Sequence, residues 1–165
     1  MSLDSGRTAN SVFGRYGHAF SFDTGNSVGE IIGHNKVINA CAIRNQRPFR
    51  AATCSDDMTV NFYHGPPYKW QKSMTDHTRF VQCVRFSPDG QFVISVGSDA
   101  KIFLYDGSTG DKIAEITDGA HAGGIFSMSW SPDSKQFMTS SADMTVKIWD
   151  LAERKAIKYV VQRYD

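Results

Sequence analysis

Residues 140–150 read SSADMTVKIWD, an acid in a tight turn at Asp143 followed by an alternating run that ends on Trp149 and Asp150. The same outline stands upstream as CSDDMTVNFYH, residues 54–64, and as VGSDAKIFLYD, residues 96–106. The turn acids Asp57, Asp99 and Asp143 are separated by 42 and 44 residues. His34, His77 and His121, each 22 or 23 residues before its acid, are separated by 43 and 44. Two independent markers with one period of roughly 40–45 residues identify a repeat architecture.

Within each period the apolar residues alternate in short runs, the signature of half-buried strands. VINACAIR, FVQCVRF and IFSMSW come first and close on turn chemistry such as SPDG or SPDS. FRAATCS, QFVISVGS and QFMTSS follow, then TVNFY, KIFLY and TVKIW. After HGPP, DGSTG or LAER, a fourth run appears as YKWQKSM, DKIAEIT or KAIKYV. Each period therefore predicts four antiparallel strands, and no segment reads as a helix. Residues 16–32, with HAFSFD, the turn TGN and SVGEII, match the third and fourth strands of such a unit. A polar opening, residues 1–11, stands where the first two would be.

The resulting expectation is an all-β chain of about three and a half four-stranded sheets. It comprises a polar segment at 1–15, a partial unit at 16–32, and full units at 33–75, 76–117 and 118–165. The 165 residues are 41% apolar and 21% charged, which predicts a folded chain rather than a disordered one. A net charge of +1 gives no electrostatic reason to expect a nucleic acid or an anionic membrane as partner. Cys41, Cys54 and Cys83 lie in apolar runs without metal-ligand spacing, which suggests reduced, buried thiols. The opening MSLDSGRTANS lacks an apolar signal core, and no stretch approaches the ~18 apolar residues of a membrane span. These features predict a cytosolic protein, with no metal and no cofactor.

A hydroxyl also stands four residues before each turn acid, at Thr53, Ser95 and Thr139. Ser-His-Asp chemistry requires one exposed nucleophile, an oxyanion site and a cleft. Three copies, two with Thr as the hydroxyl, fit instead a polar network that satisfies buried groups within each unit. The expectation is no enzymatic activity. Arg44, Arg47 and Arg50 cluster near one turn, and with near-neutral overall charge they read as a solvated turn rather than a phosphate site.

Gly33-His34 and Trp149-Asp150, with the softened pairs Asp76-His77, Ala120-His121, Tyr105-Asp106 and Tyr63-His64, resemble the signature of the WD-repeat β-propeller over residues 16–160. The resemblance implies an incomplete propeller. It also implies a hydrogen-bonded chain of acid, imidazole, hydroxyl and aromatic inside each blade. The sets are Asp57, His34, Thr53 and Tyr63; Asp99, His77, Ser95 and Tyr105; Asp143, His121, Thr139 and Trp149. Tyrosine in two of them is expected to break the last link.

The strings GHAFSFDTGNSVGEIIGHNKVINA, RPFRAATCSDD, SDDMTVNFYHGPPYKW, HTRFVQCVRFSPDG and GGIFSMSWSPDS are similar to the actin-interacting protein 1 family, at an internal part of its amino-terminal propeller. That resemblance implies a cytoplasmic protein of the actin cytoskeleton. Such a protein binds actin filaments decorated with cofilin and promotes their disassembly, without a cofactor or bond-breaking chemistry. It points to Asp56 and Trp70 as contacts, and aligns an acidic position of relatives near Gly14, where the charge is absent. Asp56 also reads as a second turn acid and Trp70 as filler between blades. A WD-repeat scaffold for an unrelated complex is the alternative reading of the whole chain. Incomplete closure is expected to leave apolar flanks open to self-association.

Overall fold

Four antiparallel sheets follow one another along the chain, and neighbouring sheets cover each other's apolar faces. The computed structural model describes residues 8–21 and 23–161. The first sheet holds β1 (Thr8–Phe13), β2 (Tyr16–Ser21) and β3 (Ser27–Ile31). The second holds β4 (Ile38–Arg44), β5 (Arg50–Ser55), β6 (Val60–His64) and β7 (Lys69–Met74). The third comprises β8 (Val81–Phe86), β9 (Phe92–Gly97), β10 (Ile102–Asp106) and β11 (Lys112–Glu115). The fourth comprises β12 (Ile125–Trp130), β13 (Gln136–Ser141), β14 (Thr145–Asp150) and β15 (Lys155–Val161). Strands pair in chain order, and β4, β8 and β12 lie side by side along the inner edge. This is an all-β, incomplete propeller.

One expectation needs correction. Within the opening that the sequence predicts as a polar segment, residues 8–13 form β1, paired with β2 from Thr8↔Ser21 to Phe13↔Tyr16. Residues 1–7 lie outside the described residues. The two strands are joined through Gly14 and Arg15, and Gly14 has φ +60°, the feature of a II′ hairpin turn with glycine first. Among the described residues the first sheet thus has three strands rather than two.

Every full sheet repeats the same irregularities. The ladder slips once between first and second strands, at Ile38/Ala40, Val81/Cys83 and Ile125/Ser127. It slips again beside the aromatic, at Phe62/Tyr63, Leu104/Tyr105 and Ile148/Trp149. Such bulges turn a side chain relative to the pleat. The residue after each turn acid has positive φ: Met58, Ala100 and Met144. The acid supports that turn by accepting the N–H two residues on, from Thr59, Lys101 and Thr145.

Packing follows the period. Ala52, Cys54, Val60 and Phe62 of the second sheet meet Phe103 and Tyr105 of the third. Ile94, Val96, Ile102 and Leu104 of the third meet Phe137 and Trp149 of the fourth. Ala19 and Ile31 of the first meet Ala51, Tyr63 and Tyr68. Cys54 is inert in this setting, because burial pushes its thiol well above the ordinary range.

Inside each blade the imidazole bridges a carboxylate and a hydroxyl. His34 Nδ1 lies 2.9 Å from Asp57 Oδ2 and Nε2 lies 2.7 Å from Thr53 Oγ1. His77 has the matching distances of 2.9 Å to Asp99 and 2.8 Å to Ser95. His121 has 2.8 Å to Asp143 and 2.7 Å to Thr139. Only the last set continues to its aromatic as a short bond, Trp149 Nε1–H donating to Thr139 Oγ1 at 2.8 Å. Tyr63 keeps a long 3.4 Å link to Thr53 and donates to the Ile32 carbonyl at 3.1 Å. Tyr105, within the influence of Ser95, donates to Asp76 Oδ2 at 3.2 Å. The last link is therefore stretched in one blade and redirected in the other, because a phenol carries its polar atom beyond the place of an indole N–H. All three hydroxyls are fully buried, so no substrate carbonyl reaches them.

Thr139→Val should orphan both His121 Nε2 and Trp149 Nε1, at about 1–3 kcal/mol for each buried group, whereas Ser95→Ala removes the partner of His77 and the neighbour of Tyr105, which keeps Asp76. Urea unfolding checks this; equal losses for the two variants would contradict the redirected Tyr105.

Burial pushes His34 and His121 down, against the opposing pull of Asp57 and Asp143. Burial opposes the charge of Asp143, but bonds from Thr145, His121 and the Ala122 N–H outweigh it, and its carboxyl lies well below the usual range. Asp57 and Asp99 are lowered in the same way. With the folded pKa values of His34, His121, Asp57, Asp99 and Asp143 depressed, the unfolded chain takes up protons at these groups first. Stability is then full above about pH 6.5, falls as the histidines charge, and falls again below about pH 4. Denaturant midpoints at pH 7.5, 5.5 and 4 measure both stages; a rise between 7.5 and 5.5 would overturn the sign.

The fourth sheet's far face is uncovered: Met138 is 46% exposed where its equivalents Ala52 and Ile94 are fully buried. Tyr16 and Phe20 are exposed at the other end. Open apolar faces of this kind associate. Light scattering after gel filtration should detect species above 18.3 kDa; a sharp monomer that binds no hydrophobic dye would contradict it.

Candidate binding rim

The loop 32–37, which leads from β3 into β4, is pinned to the blade by its histidine. The Asn35 N–H adds a bond to Asp57 Oδ2 at 3.0 Å. Three positions that the sequence singles out meet this loop or the first residue of β4 that follows it. Asp56 donates its backbone N–H to the Val37 carbonyl at 3.0 Å. The Gly14 carbonyl accepts from the Ile38 N–H at 2.7 Å. At the loop's start Trp70 covers Gly33, where a Cβ would stand 3.2 Å from Trp70 Cδ1; with φ +122°, that position suits glycine alone.

Each side chain is held from a second direction. Asn39 Nδ2 donates to Asp56 Oδ1 at 2.8 Å and to the Val81 carbonyl at 2.9 Å, tying the acid to the next blade. Asp56 is half-buried, and its Oδ2 has no partner among the described residues. Trp70 lies opposite Tyr63 on β7 and donates Nε1–H to Ser73 Oγ at 3.3 Å. Ser73 in turn donates to Asn61. The Trp70 side of this arrangement stays accessible, since the residue is 53% exposed despite its two contacts.

The rim thus offers an acid and a half-exposed aromatic, both oriented by neighbours and separated by one loop. Gly14, where relatives are expected to carry an acid, lies at the same loop without a charge. Sequence reading did not find Asn39, Ser73 or Gly33 as supports for these residues. The spacing of Gly33-His34 gave the one available signal, since it places the loop. Lys36, on the same loop, lies 5.7 Å over the Phe80 ring. Among the described residues, no three His, Cys, Asp or Glu side chains converge as a metal would require. No described helix is long and apolar enough to cross a membrane.

Comparison with known proteins agrees with this architecture. The WD domain, G-beta repeat family matches residues 25–64, 68–106 and 112–150. WD repeat-containing protein 1 of Gallus gallus is 51% identical over 144 residues, 87% of this chain and 24% of that protein. The protein of that name from Mus musculus is 51% identical over 138 residues, 83% of this chain and 23% of its own length. Actin-interacting protein 1 of Drosophila melanogaster is 46% identical over 147 residues, 89% and 24% respectively. The chain spans about a quarter of the length of the curated relatives it matches. Three matched repeats, each running from the last strand of one sheet through the first three strands of the next and each carrying one buried imidazole, place the chain in the WD-repeat family.

Proposed function

We propose that this chain is an actin-regulating WD-repeat protein, or a piece of one, that binds cofilin-decorated actin filaments at the cytoplasmic cytoskeleton and promotes their disassembly. The observation that carries the reading is the 46% identity, over 89% of the chain, with a protein named for its interaction with actin. The rim supplies chemistry suited to a protein surface. Trp70 is a pre-positioned aromatic whose contacts limit the entropy lost on binding, and such anchors dominate interface energies. Asp56 keeps one carboxylate oxygen for a basic group on the partner while Asn39 holds the other. Binding of this kind acts by shifting filament equilibria and calls for no reacting group. Gly14 stands where the family resemblance implies an acid, so contact rests on Asp56 and Trp70.

The test is co-sedimentation of the chain with actin filaments, with and without cofilin. More chain should pellet when cofilin is present, and equal pelleting would overturn the proposal. Trp70→Ala should reduce the cofilin-dependent fraction while lowering stability by only about 1 kcal/mol, well short of the ~3–5 kcal/mol that deletion of a fully buried Trp costs. A large fall in melting temperature would assign Trp70 to the core.

A further inference from the structure

The opposite end of the β4–β7 sheet has different chemistry. In an antiparallel meander the β4–β5 and β6–β7 turns lie at one end, and the β5–β6 turn with Asp56 at the other. Between the first two turns opens a cleft of about 610 Å³ lined by Arg47, Pro48, Phe49, Arg50, Gly65 and Pro66. No carboxylate stands among these residues.

Of the three arginines at this end, only Arg47 fits the expected solvated turn. Arg44 is buried, donating Nε–H to the Gly90 carbonyl at 2.7 Å and Nη1–H to the carbonyls of Gln46 at 3.1 Å and Pro48 at 2.7 Å. It shapes the turn from beneath, and Asp106 and Asp89 offset its charge at a distance. Arg50 donates Nε–H to the Ser108 carbonyl and Nη1–H to the Phe49 carbonyl, both at 2.8 Å. Its Nη2 group, with two N–H donors, has no partner among the described residues. Arg47 is exposed, with its guanidinium 5.7 Å from the centre of the Phe49 ring. None of the three forms an ion pair among the described residues. Burial and then the like charge of Arg44 push Arg50 down, so its charge lacks a compensating neighbour.

Two guanidiniums with free donors, beside an aromatic ring and two prolines, match an anion attached to an apolar group. A nucleic acid requires a longer basic track, and the net charge of +1 supplies none. We infer that this cleft binds an acidic peptide segment of a protein partner. A carboxylate of the segment lies between Arg47 and Arg50, and a neighbouring apolar side chain rests on Pro48, Phe49 and Pro66. The site lies at the far end of the sheet from Asp56, and the inference does not rest on actin binding.

The experiment uses the 165-residue chain and fluorescence anisotropy with a labelled peptide that sets phenylalanine between two pairs of glutamates. A matching peptide with glutamine for every glutamate is the control. The glutamate peptide should bind, weaken as salt rises, and exceed the glutamine peptide by at least about tenfold. Arg47→Glu, on an exposed side chain, should lower affinity by about tenfold or more with an unchanged melting curve. Arg50→Gln should lower it too, and its melting curve reports separately the lost Ser108 contact. Trp70→Ala should leave peptide binding unchanged, which keeps this site distinguishable from the rim. No binding, equal binding of the two peptides, indifference to Arg47→Glu, or tighter binding of an oligothymidylate of equal charge would each overturn the inference.

Discussion

An imidazole held between a buried hydroxyl and a turn carboxylate is the constraint on which each blade depends. His34 joins three separate segments: its own loop, Thr53 on β5 and Asp57 in the β5–β6 turn. Removed from water, each of these groups would be costly alone, and together they satisfy one another. The carboxylate fixes the tautomer by accepting from Nδ1–H, so Nε2 accepts the hydroxyl proton. The consequence reaches the surface. The loop that His34 pins is the loop on which Gly14, Asp56 and Trp70 converge, so a buried network sets the geometry of the exposed rim.

The two tyrosines show how the network adapts where tryptophan is missing. Tyr63 spans the same space as Trp149 but donates to the Ile32 carbonyl, which adds a second tie to the start of the 32–37 loop. Tyr105 turns its hydroxyl to Asp76, which also receives Lys112 at 2.8 Å. A phenol can both donate and accept, whereas an indole only donates. The substitution therefore trades a bond inside the sheet for one to the connection that precedes the blade. In the second sheet that connection carries the rim.

Most of this architecture was legible because it is written in spacing. A period shared by His and Asp, with a hydroxyl at constant offset, survives every substitution between the repeats. The missed pieces depend on partners that spacing does not reveal. The stretch TANSVF carries weak alternation, and its strand character comes from pairing with β2. Arg44 reads as a surface cation, yet its partners are backbone carbonyls, one of them 46 residues away at Gly90, which no side-chain pattern announces. Asp56 and Trp70 were legible as residues, but their common attachment to one loop was not. That attachment runs through backbone groups of Val37 and the bare α-carbon of Gly33.

Position in the stack also bears on which surfaces keep their shape. In a row of sheets, each unit is stabilised by its own ladder and by its two neighbours, and the end units lack one of them. The second sheet is covered on one side by Ala19 and Ile31 and on the other by Val84, Val93, Phe103 and Tyr105. The fourth sheet shows Met138 and Tyr159 to solvent. Local opening begins where buried contacts are fewest, so the outer sheets loosen before the second does. Both the rim at one end of the β4–β7 sheet and the arginine cleft at its other end lie on a unit covered on both faces. Their side chains are also tied into the third sheet, through Asn39 to Val81 and through Arg50 to Ser108. The two candidate surfaces are therefore built on an inner unit of the stack, and a partner that binds either one meets a backbone arrangement that is already formed.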